Sequence, residues 1–197
     1  MSDVLRKSEW EVRTVGLDVA RPLVEAFHYS KGASNTATYL HGLFQKGAFF
    51  DNSCVGIVWW IPPTKSAAFA TYPRNWKGVL SLSRMVIAPD VPKNACSFLM
   101  ARSIGLIDGE KWPCLVTYAD EWQGHKGGVY LASGWQYVGP TKPERVYVSA
   151  SGRMVARKSG PKTRTHDEMI SLGHRCLGSF SKRKFVRHLG HCERVAA

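Results

Sequence analysis

The stretch that most constrains the fold lies between residues 80 and 137. Its hydrophobic pattern predicts a strand, a tight loop, a helix, a second strand, a second helix and a third strand. The first two strands are predicted at residues 80–87 and 114–118, and residues 95–101 between them have helical composition. Pro89 ends the first strand because proline lacks a backbone donor. Two strands joined by such a helix are expected to pair in parallel, through a right-handed crossover.

Regular elements are also predicted before this stretch. The alternating residues 9–15 predict a first strand, and Asp18 is expected to cap a helix over residues 19–27. The apolar run of residues 48–62 predicts a hairpin whose second strand, residues 54–61, is buried at the centre of a sheet.

The charge of the chain favours a polyanionic partner. The formal net charge is +12 over 197 residues, and the basic residues are unevenly placed. Such a field favours nucleic acid, although a solvated basic surface that only keeps the protein soluble is the alternative. A hydrophobic content of 44% excludes general disorder. The sequence therefore predicts an ordered protein with nucleic acid as its partner.

Cysteines and hydropathy indicate a cytoplasmic protein without a membrane segment. The five cysteines have scattered spacings and form no CxxC pair, which argues against a structural zinc site and for reduced core cysteines. No apolar run approaches the length of a membrane span. We therefore expect a soluble protein in the cytoplasm.

The composition changes after residue 156. Residues 145–150 predict the last strand of a catalytic domain spanning residues 1–156, and residues 157–197 are predicted to be a basic C-terminal extension. Apolar residues are interleaved with its cations, which favours an ordered element on DNA over a disordered solubilising tail. The side chains expected to contact phosphates are Lys182, Arg183, Lys184, Arg187 and His188.

Polar residues near the predicted strand ends are the candidates for catalysis. Tyr118 and Asp120 stand at the carboxyl end of the second parallel strand, where open α/β sheets place their ligands. Asp120 could accept a proton, or it could only cap the next helix. Ser83 lies with Arg84 inside an apolar strand, where both need polar partners unless they occupy a solvated face.

Two further candidates follow the N-terminal helix. His28 can transfer protons near neutral pH, and Tyr29 can donate a hydrogen bond or stack on a nucleobase. The structural alternative is a histidine that interacts with the helix dipole above a packed tyrosine. The helix after the first parallel strand has free backbone N–H groups at its N-terminus. A phosphate, such as the anionic part of a bound substrate, is expected to bind there. The residues there are Lys93, Asn94 and Ala95.

The order of elements resembles the GNAT acyltransferase fold, and short sequence motifs narrow the resemblance to one family. The segments SLSRMVIAPDVPKNACSFLMARS and TYADEWQGHKGGVYLASGWQYVG, with HYSK after the first helix, resemble the phage Mom DNA-modification family over roughly residues 20–150. The resemblance implies a GNAT-like α/β fold with a twisted mixed sheet, flanked by helices and splayed to form a donor cleft. It also implies transfer of a carbamoylmethyl (acetamido) group to the exocyclic amine of adenine in double-stranded DNA. This modification would protect the DNA from host restriction enzymes, and a phage protein of this kind would act in the host-cell cytoplasm.

Under this resemblance each candidate residue receives a role. Asp120 or His28 removes the amine proton, and the orienting residues are Tyr29, Ser83 and Tyr118. An adenine in a duplex must be flipped out to react, which calls for an exposed aromatic side chain such as Tyr72 or Trp76.

The donor and the assembly stay open at this stage. GNAT enzymes bind the coenzyme A pyrophosphate with a glycine-rich loop, whereas residues 88–95 contain no glycine. The donor is therefore acetyl-CoA or another acyl or glycyl donor. Iron held by His28, Asp120 and His125 is a further expectation, without support from their spacing. A homodimer is one of the oligomeric states left open.

Two other functions are compatible with the sequence. One is an ordinary GNAT N-acetyltransferase that uses acetyl-CoA on a protein or small-molecule amine. The other is a GNAT-derived DNA-binding module without catalysis, for which DNA binding would survive Asp120→Ala.

Overall fold

A computed structural model describes residues 4–32, 34–50, 53–159 and 162–189. The strands are β1 (Trp10–Thr14), β2 (Tyr39–Gln45), β3 (Gly56–Ile61), β4 (Val79–Ile87), β5 (Cys114–Asp120), β6 (Gln136–Pro140), β7 (Glu144–Val148), β8 (Met154–Val155), β9 (Lys158–Ser159), β10 (Lys162–Thr163), β11 (Arg175–Phe180) and β12 (Lys182–His188). The helices are α1 (Leu17–Phe27), α2 (Lys65–Phe69), α3 (Ala95–Gly105), α4 (Gly128–Ala132) and α5 (His166–Ser171). Short 3₁₀ helices lie at Lys7–Glu9, Pro73–Gly78 and Glu121–Gln123.

Seven strands form the main sheet, in the order β1-β2-β3-β4-β5-β12-β6. The strands β4 and β5 pair in parallel, as predicted, and the other neighbours in this sheet are antiparallel. The parallel pairing ends at Leu82 and Thr117, although β4 continues to Ile87 and β5 to Asp120. The two strands therefore separate at their carboxyl ends and leave a cleft between them.

Helices cover both faces of the main sheet because its strands carry apolar side chains on both sides. On one face α3 packs through Phe98, Leu99 and Met100 against a core that also contains Leu80 and Leu115. On the other face α1 packs through Ala20 and Val24 against buried residues of β2, β3 and β4. Within the described residues no helix is long and apolar enough to cross a membrane.

Several predicted elements occupy other positions. The helix α1 begins after Gly16, and its first turn has no side-chain cap, so Asp18 is not the predicted cap. The predicted hairpin of residues 48–62 has a different first strand, because β3 pairs with β2. Residues 48–50 lie outside any strand, and residues 51 and 52 of the predicted turn lie outside the described residues. The reason is that the apolar face of residues 39–45 is the better match for the buried strand.

The basic segment after residue 156 is not a separate extension, and this corrects the predicted boundary. The strand β12 pairs with β5 on one side and β6 on the other, and it buries Phe185 and Val186 in the core. Residues 145–150, which were predicted to be the last strand of the domain, overlap with β7. This strand belongs to a small sheet of order β11-β7-β8 and is followed by further strands. Arg153 ties that sheet to the loop after α1, because its Nη2 donates to the Lys31 carbonyl over 3.2 Å.

The cations of β12 mostly contact the protein itself. The Lys184 ammonium donates to the Ala70 carbonyl over 3.2 Å, and Arg187 donates to the Ser133 carbonyl. Arg183 lies 4.3 Å above the Tyr137 ring, and His188 meets Tyr72 edge to face. Because β12 has a neighbouring strand on each side, its side chains project above and below the sheet. There they contact other parts of the protein.

A buried polar group joins the sheet to α3. The Ser103 hydroxyl lies 2.7 Å from His41 Nδ1 and accepts a hydrogen bond of 2.7 Å from the Trp60 indole. His41 is only 1% exposed, and this burial lowers its pKa from 6.5 to about 4. The neutral imidazole is therefore part of the folded core.

The stability of the fold should depend on pH through His41. Between pH 6.5 and about 4 the unfolded chain binds a proton at this histidine that the folded chain does not. The free energy of unfolding should therefore fall as the pH drops through this window, by up to about 3 kcal/mol. Urea unfolding at several pH values tests this expectation. In His41→Gln the loss should be smaller, and an equal loss in both proteins would contradict it.

Candidate active site

The separation of β4 and β5 creates a cavity of about 500 Å³, here called the cleft. Its walls come from both diverging strands, from the loop after α1 and from the segment that begins α4. This is the carboxyl end of the parallel pair, where backbone groups and side chains of both strands face the same space. The polar side chains lining the cleft include His28, Tyr29, Ser83, Arg84, Tyr118, His125 and Tyr130.

A tyrosine, a carboxylate and a lysine meet beside the cleft. The Tyr29 hydroxyl donates to Asp120 Oδ2, and the Lys182 ammonium lies 3.0 Å from Asp120 Oδ1. Lys182 is the direct register partner of Asp120 across β12 and β5, so the ion pair is built into the strand pairing. The Asp120 side chain is 7% exposed. Oδ2 thus has a hydrogen bond, whereas Oδ1 has the ion pair but no hydrogen bond within the described part of the chain.

His28 is neutral in this environment. Burial lowers its pKa to about 4, and the nearby Arg84 guanidinium acts in the same direction. The backbone N–H of Ser30 donates to His28 Nδ1 over 3.2 Å, and the Ser30 hydroxyl lies 2.8 Å from the same atom. Because Nδ1 accepts, the proton of the neutral ring resides on Nε2. The free ring nitrogen of His28, a residue that lines the cleft, is therefore a hydrogen-bond donor.

Tyr29 is the centre of an aromatic group. Its ring centroid lies 4.3 Å from that of His28, 5.5 Å from that of His125 and 6.4 Å from that of Trp122. Burial and the hydrogen bond to Asp120 raise the pKa of the Tyr29 hydroxyl, so it keeps its proton. A protonated phenol can position the carboxylate and donate to a substrate.

The remaining predicted residues line the walls. Arg84 donates from Nη1 to the Ser83 carbonyl over 2.7 Å and to its hydroxyl over 3.2 Å, and Nε reaches the Gly32 carbonyl over 3.3 Å. The bond to Gly32 holds β4 to the loop that carries Tyr29. Burial raises the pKa of Tyr118, whose hydroxyl also has a hydrogen bond to Thr71.

The five residues predicted as catalytic lie together, whereas the three predicted to hold the donor do not join them. His28, Tyr29, Ser83 and Tyr118 line the cleft, and Asp120 lines a smaller adjoining cavity of about 210 Å³. The smaller cavity shares Tyr29, Ser83 and Tyr118 with the cleft. The roles of these residues stay predictions, but their convergence is a property of the fold.

Lys93, Asn94 and Ala95 lie at the other end of the loop after β4. None of them lines the cleft, and Ala95 is buried in the core. The Lys93 carbonyl accepts a hydrogen bond of 3.0 Å from the Leu5 amide. Asn94 has φ of 69°, a left-handed conformation that asparagine tolerates better than most residues. The glycine-free loop therefore makes its tight turn with this asparagine.

Lys182 and Trp122 are the residues that the sequence did not assign to the site. Lys182 was expected on a DNA phosphate, but it pairs with Asp120. The signal that could have found it is the apolar pair Phe185 and Val186 within a basic run, which is typical of a buried strand. Neither Tyr72 nor Trp76 lines a cavity next to Asp120, whereas Trp122 does.

The predicted iron ligands do not form a metal site. Across residues 4–32, 34–50, 53–159 and 162–189, no group of three or more His, Cys, Asp or Glu side chains is arranged to hold a metal ion. Asp120 is bonded to Tyr29 and Lys182, and His28 Nδ1 accepts from Ser30. The arrangement of these donors therefore does not support iron.

Comparison with known proteins identifies the family. Residues 9–188 match the Mom protein family. This chain belongs to that family. It is 28% identical over 138 residues to the methylcarbamoylase Mom of Escherichia phage Mu, in an alignment covering 66% of this chain and 54% of the relative. The chain thus spans about half the length of the curated Mom relative.

Solved structures confirm the predicted GNAT-like fold. An IAA acetyltransferase from Bacillus cereus superposes with a TM-score of 0.55 at 8% identity, covering 91% of this chain and 99% of its own. The ribosomal-protein-S18-alanine N-acetyltransferase of Escherichia coli gives 0.53 at 8% identity, covering 95% and 99%. The NatC complex bound to Gag peptide and CoA gives 0.52 at 9% identity, covering 92% and 99%. These likenesses show the fold of the chain.

Proposed function

We propose that this Mom-family protein transfers a carbamoylmethyl group to the exocyclic amine of adenine in double-stranded DNA. The observation that carries the proposal is the contact of Tyr29, Asp120 and Lys182 where β4 and β5 separate. The similarity to the phage Mu methylcarbamoylase supports the chemistry, and the net charge of +12 supports a nucleic-acid substrate. The product would protect phage DNA from host restriction enzymes.

The reaction requires a proton acceptor for the adenine amine. The amine nitrogen forms a bond to the methylene carbon of the donated group, and the donor's leaving group departs with the electron pair of the broken bond. One N–H proton of the amine must then pass to the protein. A positioned side chain that accepts it contributes typically about 100- to 10,000-fold in rate.

Asp120 fits that role better than His28. The neutral imidazole of His28 carries its proton on Nε2, because the Ser30 amide donates to Nδ1. The nitrogen that could face a substrate is therefore a donor. The Asp120 carboxylate is an acceptor at both oxygens, and Lys182 compensates its negative charge. Tyr29, which keeps its proton, orients the carboxylate.

The cleft between β4 and β5 is the place for the donor. Its volume of about 500 Å³ lies in the range of small-molecule sites. The GNAT-like fold favours a CoA-linked donor, and the CoA bound to the structurally similar NatC complex supports this class. Simple acyl transfer from acetyl-CoA breaks the carbonyl–sulfur bond and would form an amide, so a carbamoylmethyl product requires a donor whose leaving group is attached to the methylene carbon. A glycyl donor is the alternative. Lys93 and Asn94, which were predicted to hold the donor's anionic part, lie outside the cleft. Burial raises the pKa of Tyr130, so this hydroxyl keeps its proton and can donate a hydrogen bond in the cleft.

Mass spectrometry of nucleosides tests the proposal directly. Plasmid DNA from bacteria that express the protein is digested to nucleosides and compared with plasmid from cells with the empty vector. We expect a new deoxyadenosine species, heavier by one carbamoylmethyl group in place of a hydrogen.

A heavier product of another composition would redefine the transferred group. Unchanged nucleosides from cells with soluble, folded protein would contradict the proposal. Transfer of acetyl from acetyl-CoA to an amine, indifferent to added DNA, would then identify an ordinary N-acetyltransferase.

A further inference from the structure

A second cavity lies on the far side of Asp120. It measures about 450 Å³ and is enclosed between the small sheet and the ends of β5 and β12. The small sheet contributes Tyr147, Met154 and Val155, and the main sheet contributes Asp120 and Lys182. This cavity, here called the outer cavity, is distinct from the cleft between β4 and β5.

The cleft and the outer cavity meet at the Asp120 cluster. The small cavity of about 210 Å³ shares Tyr29 and Ser83 with the cleft, and it shares Asp120, Met154 and Lys182 with the outer cavity. Lining residues are thus continuous from one side of the carboxylate to the other. A two-substrate transferase needs this arrangement, because donor and acceptor must reach one proton acceptor from different directions.

The lining of the outer cavity suits a nucleotide. Val146, Val155 and Phe180 provide apolar surface, and the Trp122 ring adds an aromatic face. The Trp122 indole nitrogen is buried and has no hydrogen-bond partner among the described residues. An aromatic face beside apolar side chains can stack on a nucleobase.

The charges of the outer cavity also suit a nucleotide. Its lining contains four cationic residues and two acidic ones, namely Arg145, Arg157, Lys158 and Lys182 against Asp120 and Glu144. Lys182 compensates Asp120, which leaves a positive excess from the exposed residues Arg145, Arg157 and Lys158. Exposed Arg and Lys beside an apolar pocket can bind phosphates while the pocket receives the nucleobase.

We infer that the outer cavity binds the flipped-out adenine nucleotide of DNA, with Arg145 and Lys158 on the flanking phosphates. This assignment rests on the proposed function and adds the binding site of the acceptor. Adenine enters between Trp122 and the small sheet, and its amine points towards Asp120. The donor reaches the same amine from the cleft. The contact between Arg153 and the Lys31 carbonyl holds the small sheet in place over the site.

The first test removes the phosphate contacts. The double variant Arg145→Ala/Lys158→Ala is compared with Lys7→Ala/Lys46→Ala, an equal loss of charge from exposed residues beside β1 and β2 at the opposite edge of the main sheet. Fluorescence anisotropy with a labelled DNA duplex gives affinity against salt concentration. The slope of log affinity against log salt should decrease in magnitude by about 2 in the first variant. A loss of slope that is equal in both variants would overturn the assignment.

The second test fills the pocket. Ala156 is exposed and lines the outer cavity, whereas Ala150 is exposed in a turn of the same small sheet and does not line it. Ala156→Trp should reduce adenine modification in recovered plasmid by about 100-fold or more, because the target amine no longer reaches Asp120. It should keep the salt slope of duplex binding. Ala150→Trp should modify DNA as the unaltered protein does.

The outcomes separate the two proposals. If the unaltered protein modifies adenine and Ala156→Trp does so equally well, the outer cavity is not the acceptor site and the proposed function stands. If the unaltered protein yields no modified nucleoside, the proposed function fails, and the assignment to adenine fails with it. If Ala156→Trp does not fold by circular dichroism, the salt slopes of the two double variants decide the question alone.

Discussion

Asp120→Asn is expected to lower the rate of adenine modification by about 100- to 10,000-fold. The amide has the shape of the carboxylate, so it can still contact Tyr29 and fill the same space. It cannot take up a proton from the amine at neutral pH, and it lacks the charge that pairs with Lys182. The measurement is the amount of modified deoxyadenosine formed over time by purified protein with DNA and a cell extract as the source of donor.

The matched control is Asp18→Asn, which removes an exposed carboxylate from α1 that caps no helix end. It should modify DNA at the unaltered rate. Both variants should bind duplex DNA, since binding depends on cations outside this carboxylate. An Asp120→Asn protein that retains more than about a tenth of the rate would show that Asp120 is not the proton acceptor, because general acid–base catalysis contributes more than that.

The sequence predicted the parts of this site that depend on local pattern. The parallel strands β4 and β5 have clear apolar runs, and the helix between them is long enough to require a parallel crossover. Once that pair is predicted, the carboxyl-end rule directs attention to Tyr118 and Asp120. The position of Asp120 is therefore a consequence of local sequence.

Contacts between segments that are distant in the chain could not be predicted from the sequence. Lys182 lies in a basic run whose composition is typical of a tail on DNA, and only its pairing with β5 shows that it faces Asp120. The hydrophobic pattern of seven residues cannot select one neighbour among several strands. The same limit explains the outer cavity, which forms where the small sheet packs against the end of the main sheet.

In the loop after β4, the prediction from composition was incomplete. The absence of glycine predicted a backbone less free to approach a pyrophosphate, yet Asn94 adopts the left-handed conformation that glycine would usually supply. Asparagine is one of the few other residues that tolerate it. Composition alone therefore underestimated how tightly this loop can turn.

Lys182→Met is expected to lower the modification rate by about 10- to 100-fold, because it removes the cation 3.0 Å from a carboxylate that is 7% exposed. Methionine keeps most of the aliphatic length, so the loss is chiefly that of the charge. The measurement is the same time course of modified deoxyadenosine as for Asp120→Asn.

Two further variants complete this experiment. Lys182→Arg restores a cation on β12 and should recover most of the activity, which a loss of packing alone would not explain. Lys162→Met breaks an ion pair of similar kind, since Lys162 Nζ lies 2.6 Å from Glu168 Oε1 on an exposed surface. It should leave the rate unchanged, because exposed pairs contribute little and this one is outside the site. If Lys182→Met retains the full rate, or if Lys182→Arg is as slow as Lys182→Met, the charge of Lys182 does not support the Asp120 carboxylate during the reaction.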